Sequence, residues 1–160
     1  MLVTALMVLI GGGAAAVVFQ LLRSFTYTSA QLSADMEASL AVQKMARDLQ
    51  EAKQVDLLSA TSMRVYYPQL ANGLYTRALD TANYIDYYRG ELSGPSTTGT
   101  KLIRKPAGGT ARIVCEGVVL VNLTSPNPTT VDVSIDAVRS SGTTTRRCDM
   151  VHRAIFLRNY

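Results

Sequence analysis

The 160-residue chain has no tryptophan, one histidine and two cysteines, and its first 22 residues carry no charged side chain. Each shortage excludes something. A single histidine, His152, with no H-E-x-x-H, no G-x-S-x-G and no Walker sequence, leaves no catalytic constellation to assign. Cys115 and Cys148 stand far apart and outside any C-x-x-C, so with His152 they make a metal site only if the fold brings all three together. The carboxylates add little. Asp132 and Asp136, four apart on a predicted strand, would lie about 13 Å from each other, too far for paired acid and base work. Asp80 and Asp86 lack the spacing of a calcium loop. No catalytic residue, metal or cofactor is expected, and the protein reads as a non-enzyme.

The lack of charge before Arg23 gives residues 1–22 the length and polarity of a bilayer crossing. Residues 23–55 lack proline and glycine, so nothing there obliges a helix to stop. The two stretches predict one helix of about 80 Å, with an apolar half at 1–22, an amphipathic half at 23–55, and a globular domain over 56–160. A cleaved signal peptide would show a basic leader and a break after a small-residue cleavage site, and neither is present. The one flanking charge, Arg23, argues mildly against export by the positive-inside rule. Gly11, Gly12 and Gly13 interrupt the apolar half at about 3 kcal/mol of helix propensity. They suit either a kink-tolerant membrane helix or a segment that melts when its surroundings change. Further on, Leu32, Met36 and Leu40 fall on one face, with Val42, Met45 and Leu49 on the next. Such a helix can cover its own domain with one face and meet another subunit with its neighbour. Lys44 with Asp48, and Arg47 with Glu51, are spaced for exposed pairs.

Beyond Asp56 the period shortens to that of strands. Met63, Val65 and Tyr67 alternate with polar neighbours up to Pro68, and residues 84–89 and 101–104 follow as further strands, with Asn72-Gly73 as a turn. Ile113-Val114 and 118–121 come next, and 124–130 reads as a polar connection. Val131, Val133 and Ile135 alternate with Asp132, Ser134 and Asp136 as a buried and a wet face. Ser140-Ser141-Gly142 reads as a hairpin tip, and 151–157 as a terminal strand. The fold class is therefore α+β, a long N-terminal helix packed on a C-terminal antiparallel sheet. Net charge is −1 over 23–56 and +5 over 57–160, spread without a basic run. Six tyrosines between Tyr66 and Tyr88 fit sheet packing first and an interface second. Given an exported domain, Cys115 and Cys148 are expected to form one disulfide, worth about 4 kcal/mol for its loop on the chain-entropy view, with two unrelated buried thiols as the alternative.

This layout resembles the type IV pilin-like proteins, and within them J-type minor pseudopilins and W-type minor pilins. Two stretches carry the wording: Leu2-Val3-Thr4-Ala5-Leu6-Met7-Val8, similar to the family's leading F-T-L-V-E-L-M-V, and residues 39–54, SLAVQKMARDLQEAKQ, similar to its "ARDLREA" helix ending. The ending Phe156-Leu157-Arg158-Asn159-Tyr160 is also family-like. The resemblance implies a structural subunit of a pilus or of a type II secretion pseudopilus. Such a subunit is held in the inner membrane by a single pass and later carried into a periplasmic or extracellular filament. It implies that Met1 is the position processed by a prepilin peptidase and N-methylated. Ala5 stands where most members hold a glutamate that neutralises a neighbouring amine during assembly, and 11–13 fall where the helix loosens in filaments. The implied partners are other pilin or pseudopilin subunits, an inner-membrane assembly platform and the prepilin peptidase, with DNA or secreted cargo as further ones. A tip or DNA-uptake pilin and a membrane-anchored binding module outside any filament are the alternatives.

Overall fold

The structure, a computed structural model, describes residues 2–141, 144–148 and 151–157. Helix α1, Leu2–Gln50, runs unbroken through the glycine triplet for about 73 Å. It ends five residues before the expected Val55. The Ala52 amide closes a tight turn on the Leu49 carbonyl at 3.2 Å, and the Lys53 amide is already bonded to Tyr66 O at 2.8 Å. The sheet's demand for Gln54 and Val55 as strand partners of Tyr66 and Val65 thus overrides the helical propensity of the sequence.

Among the described residues ten strands follow, in two antiparallel sheets. The first contains β1 (Gln54–Ser59), β2 (Ser62–Ala71), β3 (Leu74–Glu91), β5 (Lys101–Pro106) and β6 (Arg112–Glu116), in that spatial order, with the short β4 (Gly94–Pro95) on β3. The second contains β7 (Val118–Asn127), β8 (Thr130–Ser141), β9 (Thr144–Arg147) and β10 (Val151–Phe156). Here β8 is central, and β9 pairs with its far end. One sheet was expected and two are found. Gly117 makes the change between them, at φ 65. A Cβ there would collide with the Val138 carbonyl, so only glycine fits. Hydrogen bonds stitch the sheets together: Val138 N–H to Gly117 O at 2.7 Å, and Leu123 N–H to Ala60 O at 2.9 Å.

Several strands exceed their sequence signals. Pro68 does not stop β2, because β1 pairs only as far as Tyr66, and beyond that β2 has a free side where a missing N–H costs nothing. The turn at Asn72-Gly73, φ 53 and 77, has the double positive φ of a two-residue hairpin turn. It lets β3 run 18 residues. The connection expected over 124–130 is largely strand. Val131, Val133 and Ile135 are buried as expected, but the opposite face is not wet throughout. Asp136 is 2% exposed and paired with Arg147, and Ser134 is buried against His152 Nδ1 at 2.8 Å. The hairpin between β8 and β9 is present, and its Gly142 lies outside the described residues. Tyrosines are used largely in packing: Tyr87 is fully buried, and Tyr66 and Tyr84 meet at 6.0 Å between ring centroids.

The core lies between α1 and the two sheets. Helix α1 packs mainly on β8, β9 and β10 and touches β6, so the second, smaller sheet supplies most of its packing. Ala34, Ala38, Ala41, Val42, Met45 and Leu49 meet Val131, Val133, Ile135, Leu102 and Met63 in one cluster.

Candidate assembly surface

Two faces of α1 have opposite fates. Ala30, Ala34, Ala38, Ala41, Val42, Met45, Ala46 and Leu49 are buried, and the run of alanines lets the second sheet approach the helix backbone closely. On the adjacent face Phe25, Leu32, Met36 and Leu40 are 73%, 58%, 55% and 58% exposed. With Ser29, Ser33 and Glu37 among others they line an open groove of about 500 Å³. The spacings of seven, four and four keep these four side chains on one stripe, as in a helix that receives a second helix. Burying them against a partner would contribute about 1 kcal/mol each, before the cost of association. The division of faces drawn from the sequence, with Leu32, Met36 and Leu40 apart from Val42, Met45 and Leu49, is the one observed.

The N-terminal part of α1 projects beyond the domain. Leu9, Ile10, Val17, Val18, Phe19, Leu21 and Leu22 are all more than half exposed. The helix is long and apolar enough to cross a membrane by length and composition. A Cβ added at Gly11, Gly12 or Gly13 would meet nothing within 4 Å, so contacts among the described residues do not require the bare backbone there. Ala5 falls in the first turns of α1, and Met1 lies outside the described residues.

Polar clamps fix the stripe's orientation. Asp48 Oδ2 accepts from the Tyr87 hydroxyl and from Arg104 Nε, both at 2.8 Å, which ties the end of α1 to β3 and β5. Asp48 therefore does not pair with Lys44, whereas the expected Arg47 to Glu51 pair is present at 3.8 Å on the surface. Burial, reinforced by the Asp48 charge, pushes the Tyr87 phenol well above its ordinary value. Burial works against the Arg104 charge, but the hydrogen bond and charge of Asp48, together with Tyr87, outweigh it and its pKa ends raised. Next to Met36 on α1, Glu37 pairs with Arg139 of β8, which also reaches Glu116 of β6 at 3.3 Å. Arg146 of β9 lies over the Tyr27 ring, 3.2 Å from its centroid. Sequence periodicity could not find these partners, which are as much as 102 residues apart.

Compared with protein-family models, curated proteins and solved structures, the chain matches none.

The other candidate residues are placed as follows. Cys115 and Cys148 both lie in the core but are free thiols, and the expected disulfide is not formed in this structure. Each sulfur has its own contacts. Cys148 Sγ accepts from the Ala137 amide at 3.0 Å, and Cys115 Sγ is 3.5 Å from Glu116 O. Burial pushes the Cys115 thiol up to about 12. His152 sits in β10 with Ser134. Among the described residues, no three of His, Cys, Asp and Glu converge as a metal site.

Proposed function

We propose that this chain is a non-enzymatic structural subunit of a filament of the type IV pilus or pseudopilus kind, assembling through α1. Its residues 1–22 are stored in the inner membrane and later packed among the helices of other subunits, while the domain faces the periplasm or the exterior. One observation carries the reading. Among the described residues the stripe Phe25, Leu32, Met36, Leu40 has no partner, although the neighbouring face of the same helix is completely occupied. Soluble domains do not ordinarily leave so continuous an apolar stripe in water beside a projecting apolar helix. The pilin-like wording of residues 2–8 and 39–54 supports the same reading, as does a helix that passes from apolar to amphipathic without a break. In this reading the other subunits, an assembly platform and a prepilin peptidase acting at Met1 are the partners. With alanine at residue 5, the neutralising carboxylate for a buried amine has to come from another chain.

The test is electron microscopy of sheared surface filaments, with mass spectrometry of their subunits. The chain is expected in the filaments, with its apolar segment retained and its first amine methylated. Filaments that lack it, or a mature chain that begins beyond Leu22 and stays monomeric, would leave a membrane-anchored binding module as the better account.

A further inference from the structure

At the junction of the apolar and amphipathic halves of α1, Arg23 lines a groove with Tyr27, whose ring carries Arg146, and among the described residues neither arginine has a carboxylate partner. We propose that Arg23 and Arg146 bind the phosphate headgroups of anionic phospholipids and hold the β8–β9 hairpin against the membrane surface while α1 spans the bilayer. The proposal rests on the membrane reading of residues 1–22.

Depth is the first argument. If the uncharged stretch fills the hydrocarbon layer, Arg23 emerges at its edge, and Tyr27, one turn on, lies about 6 Å further out. That is within the headgroup layer, about 5–7 Å thick on each side. Tyrosine suits that level, having an apolar ring and a polar tip. A helical side chain lies over the turn preceding its own Cα, so the Tyr27 ring leans toward Arg23 and Ser24. The Arg146 guanidinium on that ring is thereby brought to the same level as Arg23.

Charge is the second argument. The other arginines of the hairpin are committed, Arg139 to Glu37 and Glu116, and Arg147 to Asp136. Among the described residues Arg146 has no carboxylate partner, and its buried Nε has no acceptor. Arg23 makes no ion pair either. No acidic residue precedes Asp35, which is about 12 Å along the helix from Tyr27. A groove of about 390 Å³ lined by Gln20, Arg23, Ser24 and Tyr27 opens at this level, with serine and glutamine as further donors. Two positive forks, added donors and an aromatic at headgroup depth match a phosphodiester anion.

The full chain, reconstituted in vesicles of phosphatidylcholine alone or mixed with phosphatidylglycerol, tests this by hydrogen exchange of the 139–147 amides. Phosphatidylglycerol is expected to slow exchange there, by about fivefold for each arginine engaged. Arg23→Gln and Arg146→Gln are each expected to remove their share, and high salt the whole. Equal exchange in both vesicle types, or protection unchanged in the double variant, overturns the proposal. So does a short DNA duplex that protects the same amides in neutral vesicles as strongly as phosphatidylglycerol does. Flotation of the wild-type chain with the vesicles after alkaline extraction reads insertion separately. Flotation without lipid-dependent protection sinks only this inference, whereas loss of flotation sinks the membrane reading with it.

Discussion

Asp48 is the residue on which the end of α1 depends. Its carboxylate is largely out of water and is satisfied by one phenol and one guanidinium, so its removal would leave Arg104 buried without its counter-charge. Asp48→Ala is expected to cost about 3 kcal/mol in urea unfolding. Tyr87→Phe, which deletes one neutral donor, should cost about 1 kcal/mol. Equal losses would mean that packing, not charge, dominates the site. Two buried acids and a half-buried one predict alkaline lability. Cys115 is raised from 9.0 to about 12, and Tyr67 and Tyr87 are raised above their ordinary 10.0, each first of all by burial. The folded state thus keeps protons that the unfolded chain gives up. The stability this contributes is complete below pH 9.0 and is lost progressively as pH rises toward 12. In reductant, the urea midpoint should fall over that range, and less steeply in Cys115→Ala.

For the helix as an element, the two faces should respond oppositely to substitution. Leu32→Glu with Met36→Gln places polar groups on exposed positions and should move the stability of the isolated chain by less than about 1 kcal/mol. Filament incorporation, read by microscopy of sheared material, should nevertheless be lost. Ala38→Leu, on the fully buried face, should instead destabilise the chain itself by about 1–3 kcal/mol, because the second sheet leaves no room for added methylenes. These two faces were legible in the sequence, since helical period and side-chain size are both local properties. The alanine spacing 30, 34, 38, 41 was equally visible but is silent under a scale that rewards large apolar side chains. Strand lengths were less legible. Pro68 and the prolines near residue 126 look like stops, but whether a missing N–H matters depends on which neighbour is present, and that is a tertiary fact.

At the scale of the whole molecule, the division into two sheets turns on Gly117. Gly117→Ala combines a left-handed backbone with a collision against Val138, and should cost well over 1 kcal/mol. Thermal unfolding of the full chain in detergent measures it, and a neutral result would mean that β6 and β7 need not join there. No periodicity separates the five-residue β6 from the ten-residue β7 across a single glycine, which is why a single sheet was the simpler expectation. The ion pairs Arg139 to Glu37 and Arg147 to Asp136 were invisible for a related reason: they link elements whose neighbourhood is created only by the finished topology.

The place where the domain takes hold of α1 has a mechanical consequence. The first fully gripped residue is Ala30, and the uncharged stretch ends at Leu22, so about 12 Å of unbroken helix separates the two. Such a stalk is far too short and stiff to behave as a tether. A force applied to the globular part along the axis of α1 would reach the apolar segment undiminished, as through a piston rod. With α1 in a bilayer, as proposed, extraction would begin as soon as the domain is displaced.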